Sequence, residues 1–192
     1  MRNLLYLVFA VGLLSLQACK DQKSEEPATE ETVSEETQAE AVKERYTAAA
    51  SSVKFKDPKI AVMYDAYINL KTELVNSDVA TSAKAAEDLL TAMANVGVEE
   101  ETFLAAQFVV ESNSLDGQRE GFERVTKAIE PLILANIEGG AVYKQYCPMA
   151  FNNKGAYWLS NSEEIYNPYF GDMMLRCGRV ADTLEVAEAS EM

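Results

Sequence analysis

Apolar and polar residues alternate between residues 57 and 97 with the period of an α-helix. Asp57-Pro58 is typical of a helix start, because an acceptor side chain precedes a proline in the first turn. One apolar stripe follows, made of Ile60, Met63, Tyr64, Tyr67, Leu70 and Leu74. After the break at Asn76-Ser77-Asp78, a second stripe consists of Val79, Ala83, Ala86, Leu90 and Met93, and it ends at Gly97. We predict two helices that pack as an antiparallel hairpin.

Two further helices are predicted before residue 138. A third, shorter helix covers Glu99 to Ser112, with its apolar residues at Phe103, Leu104 and Phe108. A fourth begins after Asp116-Gly117 and carries Phe122, Val125, Ile129, Leu132, Ile133 and Ile137. Because the connections are short, the pattern predicts a four-helix up-and-down bundle.

The chain changes character after Gly139-Gly140. Eight aromatic residues lie within thirty positions: Tyr143, Tyr146, Phe151, Tyr157, Trp158, Tyr166, Tyr169 and Phe170. Residues 152–155 and Asn167-Pro168 are turn sequences. We predict a short β-hairpin or irregular unit here, followed by a final helix from Arg176 to Glu188. The fold class is therefore mainly α, a bundle with a small C-terminal aromatic-rich unit and a final helix.

The N-terminus has the features of a lipoprotein signal peptide over residues 1–18. Arg2 supplies the positive start, and the apolar stretch 4–14 is too short for a membrane-spanning helix. Ala18 precedes Cys19 as in a lipobox, so we predict that Cys19 carries the lipid. This places the protein in the bacterial cell envelope, with the outer membrane favoured. An ordinary secretory signal with an incidental cysteine is the alternative.

Residues 19–52 read as an acidic tether. This stretch is rich in Glu, Thr, Ser and Ala, and it has no basic residue from Ser24 to Val42. Such a composition buries too little apolar surface to offset the entropy of ordering, so we predict disorder. The folded domain is then expected over residues 53–192, with a subregion at 139–180 that carries cysteine and methionine.

Composition excludes several classes of function. The formal net charge of −14 makes nucleic acid an improbable partner and keeps the domain off anionic lipids, so only the anchor is expected to contact the membrane. The chain has no histidine, which excludes serine and cysteine hydrolases that use a histidine base. We therefore predict a protein that is not an enzyme and has no catalytic residue.

Two short clusters of sulfur-containing residues are the candidate chemistry. One holds Cys147 and Met149, and the other holds Met173, Met174 and Cys177. Thiolate and thioether sulfurs are soft ligands that favour Cu(I), or Ag(I) in its place. If residues 173–177 are helical, both methionines share a face with the cysteine, and four or five sulfurs could converge on one ion.

A disulfide is the alternative use of the same cysteines. The exported part contains Cys147 and Cys177, an even number in an oxidising compartment. A bond closing this loop of about thirty residues would stabilise the folded state by roughly 3.5 kcal/mol in the chain-entropy model. The methionines would then fill gaps in a small core. Residue types and spacing leave both uses open.

The cysteine-bearing segments also resemble a known family. They are residues 146–160, with the sequence YCPMAFNNKGAYWLS, and residues 164–178, with the sequence EIYNPYFGDMMLRCG. Together with the helical stretch 64–94, they resemble a domain-of-unknown-function family of small bacterial lipoproteins. This family is related to the C-terminal domain of CusB/HlyD-type heavy-metal efflux adaptors. The resemblance, over about residues 57–186, implies an accessory role in metal efflux or homeostasis, with an efflux pump or another envelope protein as partner.

Overall fold

The computed structural model describes residues 44–186. The predicted signal peptide, Cys19 and most of the predicted acidic tether lie outside the described residues. Within residues 44–186, no helix combines the length and the apolar character that crossing a membrane requires.

Four long helices and two small antiparallel sheets make up the described domain. In chain order the elements are β1 (Lys54–Phe55), α1 (Pro58–Asn76), α2 (Val79–Val96), α3 (Glu100–Glu111), α4 (Leu115–Asn136), β2 (Ile137–Gly139), β3 (Ala141–Cys147), a short turn (Ala150–Asn153), β4 (Ala156–Ser160), a 3₁₀ turn (Gly171–Met174) and β5 (Arg179–Glu185). Each helix packs on the next, and α1 also packs on α4. The predicted bundle with a small β unit is confirmed.

The predicted helix boundaries in the first half of the bundle are confirmed by their caps. The Asp57 carboxylate accepts from the Lys59 N–H at 2.8 Å and begins α1. Ser77 ends α1 in the left-handed conformation, with φ 59°. Asp78 then accepts from the Thr81 N–H at 3.0 Å and begins α2. These contacts link neighbouring residues, so the local sequence specifies them.

The predicted stripe of α1 is confirmed, whereas that of α2 is partly wrong. All six predicted α1 residues are buried. The buried residues of α2 are Ser82, Ala85, Ala86, Leu89, Ala92 and Met93, while Val79, Ala83 and Leu90 are half-buried. Because α2 lies between α1 and α3, its face of small residues packs inward. The prediction, which followed the larger apolar residues, therefore placed the buried face of α2 about one position away from the observed one.

A three-stranded antiparallel sheet with the order β4-β3-β5 follows the bundle. The predicted hairpin is confirmed, because β3 and β4 pair from Tyr143–Ser160 to Cys147–Ala156. Phe151, Asn152 and Asn153 in its connection all have positive φ, and Gly155 closes it with φ +79°. Strand β4, which is buried except at Tyr157, packs against α4.

The predicted final helix is wrong, because residues 179–185 form strand β5. Val180 and Leu184 are four positions apart, a spacing that places them on one face of a helix but also fits the two-residue period of a strand. The open edge of β3 decides between the two. β5 pairs with it from Ala141–Glu185 to Tyr146–Arg179, with one register irregularity.

Residues 44–50, which we call the N-terminal strap, have no regular secondary structure but pack on the domain. The Asn76 side chain accepts from the Tyr46 N–H at 2.8 Å and donates to the Tyr46 carbonyl at 3.0 Å. The Tyr46 ring stacks on Tyr166 at 3.9 Å between centroids. Arg45 forms ion pairs with Glu73 and Asp78. The strap thus touches both the bundle and the loop that precedes the 3₁₀ turn.

Candidate metal centre

The register of the sheet brings the two cysteines together. Cys147 is the last residue of β3, and Tyr146 beside it pairs with Arg179 at the start of β5. Cys177 lies two residues before β5, so antiparallel pairing places it next to Cys147. The two Sγ atoms are 3.1 Å apart, and no disulfide bond joins them in this structure. Cys147 is fully buried, whereas Cys177 is partly exposed.

A tight turn orients Cys177. Its N–H donates to the Met174 carbonyl at 2.9 Å. Gly178 follows with φ +144°, and a Cβ there would lie 2.9 Å from the Trp158 ring and 3.0 Å from the Tyr146 carbonyl. Only glycine fits this conformation and this space. A glycine directly after Cys177 is therefore required for Cys177 to approach β3.

The methionines divide into two groups. Residues 171–174 form a 3₁₀ turn, so the helix considered for residues 173–177 is not formed. Met149 and Met174 line one groove of about 590 Å³, together with aromatic side chains, whereas neither cysteine lines it. Met173 is 74% exposed and lies outside that lining. The structure thus brings Cys147 to Cys177, and it brings Met149 and Met174 to one groove.

The environment keeps Cys177 protonated. The hydrogen bond with Cys147 and, secondarily, desolvation and the neighbouring sulfur charge raise the pKa of Cys177 to about 11. At neutral pH this side chain is a thiol and a weak nucleophile. A cation that binds it must displace its proton.

A soft ion would need modest changes in this arrangement. Within residues 44–186, no three cysteine or carboxylate side chains come together as a metal site, so methionine sulfur would have to complete one. Two thiolates on a tetrahedral ion with bonds of about 2.3 Å are separated by about 3.8 Å. The thiols would therefore have to move apart by roughly 0.7 Å from their 3.1 Å contact.

Two buried residues of this site were missed by the sequence analysis. Asn167 was read only as part of a turn, yet its side chain is fully buried and donates to the Cys177 carbonyl at 2.7 Å. Trp158 is fully buried against Gly178, and its indole Nε1 has no hydrogen-bond partner within the described residues. The only signal in the sequence was the proline after Asn167, which indicates a turn and not a contact with a cysteine ten positions away.

Comparison with known proteins locates a family likeness in the bundle. A family model described as "Protein of unknown function (DUF3347)" matches residues 63–138, which run from within α1 into β2. Neither curated proteins nor solved structures give a match to this chain. The expectation of a domain of unknown function is confirmed to that extent, and the match ends before both cysteines.

Proposed function

We propose that the chain is a lipid-anchored envelope protein whose domain binds Cu(I) or Ag(I) as an accessory to metal efflux or homeostasis. Residues 1–18 and Cys19 support the anchor and the envelope, with the outer membrane favoured, through their sequence alone. The observation that supports metal binding is the 3.1 Å contact between the Cys147 and Cys177 sulfurs. Two thiols from separate elements in contact form the soft half of a coordination site.

Thioethers adjacent in sequence supply the other half of the proposed site. Met149 follows Cys147 by two residues, and Met174 precedes Cys177 by three. Both line the same groove, and Met149 is 45% exposed, so its sulfur is free to turn. Methionine has three rotatable bonds and adapts to irregular spaces. We assign Met149 and Met174 as supplementary ligands and Met173, which is more exposed, as the weakest of the five candidates.

Protonation gives the proposed site a pH dependence. Because the pKa of Cys177 is raised to about 11, a proton competes with the metal at every pH below that value. Affinity for Cu(I) should therefore rise as pH increases from 6 to 9. The same raised pKa makes Cys177 a weak nucleophile at neutral pH, so we assign it no catalytic role.

A competitive titration tests this proposal. The full chain is reduced, with Cys19→Ser in all variants so that only the pair remains, and Cu(I) is added against a competing chelator. We expect binding that is lost in Cys147→Ser and Cys177→Ser and weakened in a Met149→Leu, Met174→Leu double variant. Met173→Leu is the matched control and should bind like the parent. A parent no tighter than the double-serine variant would disprove the proposal.

The second candidate is a disulfide-stapled interaction module without a metal. The same 3.1 Å contact supports it, because a disulfide needs the sulfurs only about 1.1 Å closer. Its partner would be another envelope protein. The aromatic segment offers little exposed surface for docking, because Trp158 and Tyr169 are buried, and Tyr157 is the most exposed of its rings at 40%. Counting thiols in protein purified from the envelope separates the candidates, since a disulfide leaves neither Cys147 nor Cys177 free.

A further inference from the structure

Asn167 is the most highly connected polar residue beside the cysteine pair. Its side chain donates to the Cys177 carbonyl at 2.7 Å and accepts from the Tyr169 N–H at 2.8 Å. Its own N–H donates to the Leu175 carbonyl at 2.9 Å, and its carbonyl accepts from the Gly171 N–H at 2.9 Å. Since the residue is fully buried, water cannot replace these bonds. One amide thus ties both ends of the segment between residues 167 and 177.

This segment is in turn attached to the bundle. Arg119 of α4, which is buried, donates through Nε to the Pro168 carbonyl at 2.9 Å and through a terminal nitrogen to the Ser77 hydroxyl at 3.1 Å. Gly171 lies so close to the C-terminal end of α1 that a Cβ there would lie 2.8 Å from the Val75 carbonyl. A continuous path of buried polar contacts therefore runs from the helices to the Cys177 turn.

We infer that Asn167 is a positioning residue of the sulfur pair, whose buried amide holds the Cys177 turn within bonding reach of Cys147. Strand pairing alone does not set this position, because Cys177 lies outside β5 and its carbonyl bonds to Asn167 and not to β3. The inference rests on the proposed function where it is tested by Cu(I) affinity. Where it is tested by oxidation of the two thiols to a disulfide, it applies whether or not a metal binds.

The substitution Asn167→Asp tests this role with little change of shape. It places an oxygen where the amide nitrogen donates to the Cys177 carbonyl. An ionised carboxylate would repel that carbonyl, whereas a protonated carboxyl would still donate a hydrogen bond to it. The defect should therefore be present at pH 8.5 and diminish at pH 5.5. Asn161→Asp is the matched control, because Asn161 donates to Ala49 in the strap and does not contact the cysteine segment.

Two readouts are measured on the full chain with Cys19→Ser, each as a ratio to the parent at the same pH. One is Cu(I) affinity. The other is the equilibrium with glutathione, in which one glutathione disulfide takes two electrons and two protons from the thiols, giving the Cys147–Cys177 disulfide and two molecules of glutathione. At pH 8.5 we expect Asn167→Asp to lower both the Cu(I) affinity and the equilibrium constant for disulfide formation at least fivefold. The loss should be smaller at pH 5.5, and Asn161→Asp should change neither quantity.

The outcomes separate a positioning role from a structural one and from failure of the proposed function. If Asn167→Asp lowers the free energy of unfolding but leaves both readouts within twofold of the parent, the inference is wrong. If the parent binds no Cu(I), the proposed function fails while the glutathione equilibrium still decides the role of Asn167. Should Asn167→Asp lack the helical circular dichroism of the parent, Asn167→Ser replaces it. Its hydroxyl is too short to reach the Cys177 carbonyl, so a deficit independent of pH supports the inference and parental values overturn it.

Discussion

Replacing Lys71 by methionine should stabilise the domain at neutral pH. Lys71 lies in α1 with no exposed surface, and the partners of its ammonium group are two neutral hydroxyls, Tyr46 Oη at 3.3 Å and Ser160 Oγ at 3.4 Å. Both distances are long for hydrogen bonds. Burial lowers the pKa of Lys71 from 10.5 to about 8. Holding this group charged at pH 7 therefore costs the folded state about 3 kcal/mol.

The sign of the pH dependence follows from the same values. The unfolded chain keeps the Lys71 proton up to about pH 10.5, whereas the folded chain releases it near pH 8. Between these values the unfolded state binds more protons, so stability rises with pH, by about 2 kcal/mol from pH 7 to pH 9.5. Tyr46, Tyr67 and Cys177 act in the opposite direction, because the pKa of each is raised in the folded state. Cys177 does so within this pH range, between its ordinary pKa of 9.0 and about 11. The effect of Lys71 is therefore measured as the difference in stability between the parent and a Lys71 variant from pH 7 to 9.5.

Urea unfolding followed by far-UV circular dichroism measures the effect. At pH 7 we expect Lys71→Met to raise the free energy of unfolding by about 1–2 kcal/mol, which is less than the full cost because Tyr46 and Ser160 lose a donor. The contribution of Lys71 to the pH dependence, a rise of about 2 kcal/mol between pH 7 and 9.5, should disappear. Lys59→Met, at an exposed position of the same helix, is the control and should keep that rise. A Lys71→Met domain that is less stable at pH 7 and retains the parental pH dependence would refute the argument.

Two further changes probe the turns that shape the site. Gly155→Ala should destabilise the domain by about 1–3 kcal/mol in thermal unfolding, because Gly155 has φ +79° and its added Cβ would collide with the Tyr146 ring. An unchanged melting temperature would contradict it. Ser114→Ala should cost about 1 kcal/mol, since the Ser114 hydroxyl caps α4 by accepting from the Gly117 N–H at 3.3 Å. The control Ser52→Ala, at an exposed position outside any helix, should be neutral.

The bundle could be predicted from the sequence because its signals are local. Asp57 and Asp78 cap helices by bonding residues two or three positions away, and the stripe of α1 repeats over about four turns. β5 could not be predicted in this way, since Val180 and Leu184 fit either period. Only the unpaired edge of β3, some forty residues earlier, makes this segment a strand. The prediction of the inner face of α2 was partly wrong for a related reason, because helices packed on two sides of α2 determine which residues are buried.

The cysteines could be recognised as candidates but their arrangement could not be derived. A separation of thirty residues is compatible with any distance between two side chains in a folded domain. The pairing of Tyr146 with Arg179 brings Cys177 to the end of β3, and that register depends on β5, which the sequence did not reveal. The role of Asn167 could not be predicted for the same reason. Its contact with Cys177 is specified by the loop as a whole and by Arg119, which no periodicity connects to it.

Lys71 and the cysteine pair influence the same equilibrium from opposite sides. The buried ammonium disfavours the folded state by about 3 kcal/mol at pH 7, and a covalent link between Cys147 and Cys177 would favour it by roughly 3.5 kcal/mol. A metal that binds only the folded domain at a hundred times its dissociation constant would contribute about 2.7 kcal/mol. The cost of the buried ammonium and the gain from a disulfide are close in size, so joining the sulfurs would approximately offset the buried charge.

Tyr46 connects Lys71 to the segment that carries Cys177. It contacts the Lys71 ammonium and stacks on Tyr166, whose hydroxyl accepts from Arg176 at 3.0 Å. Arg176 is one residue before Cys177. The reduced, metal-free domain, which has neither compensating contribution, should therefore gain the most from Lys71→Met as a fraction of its stability.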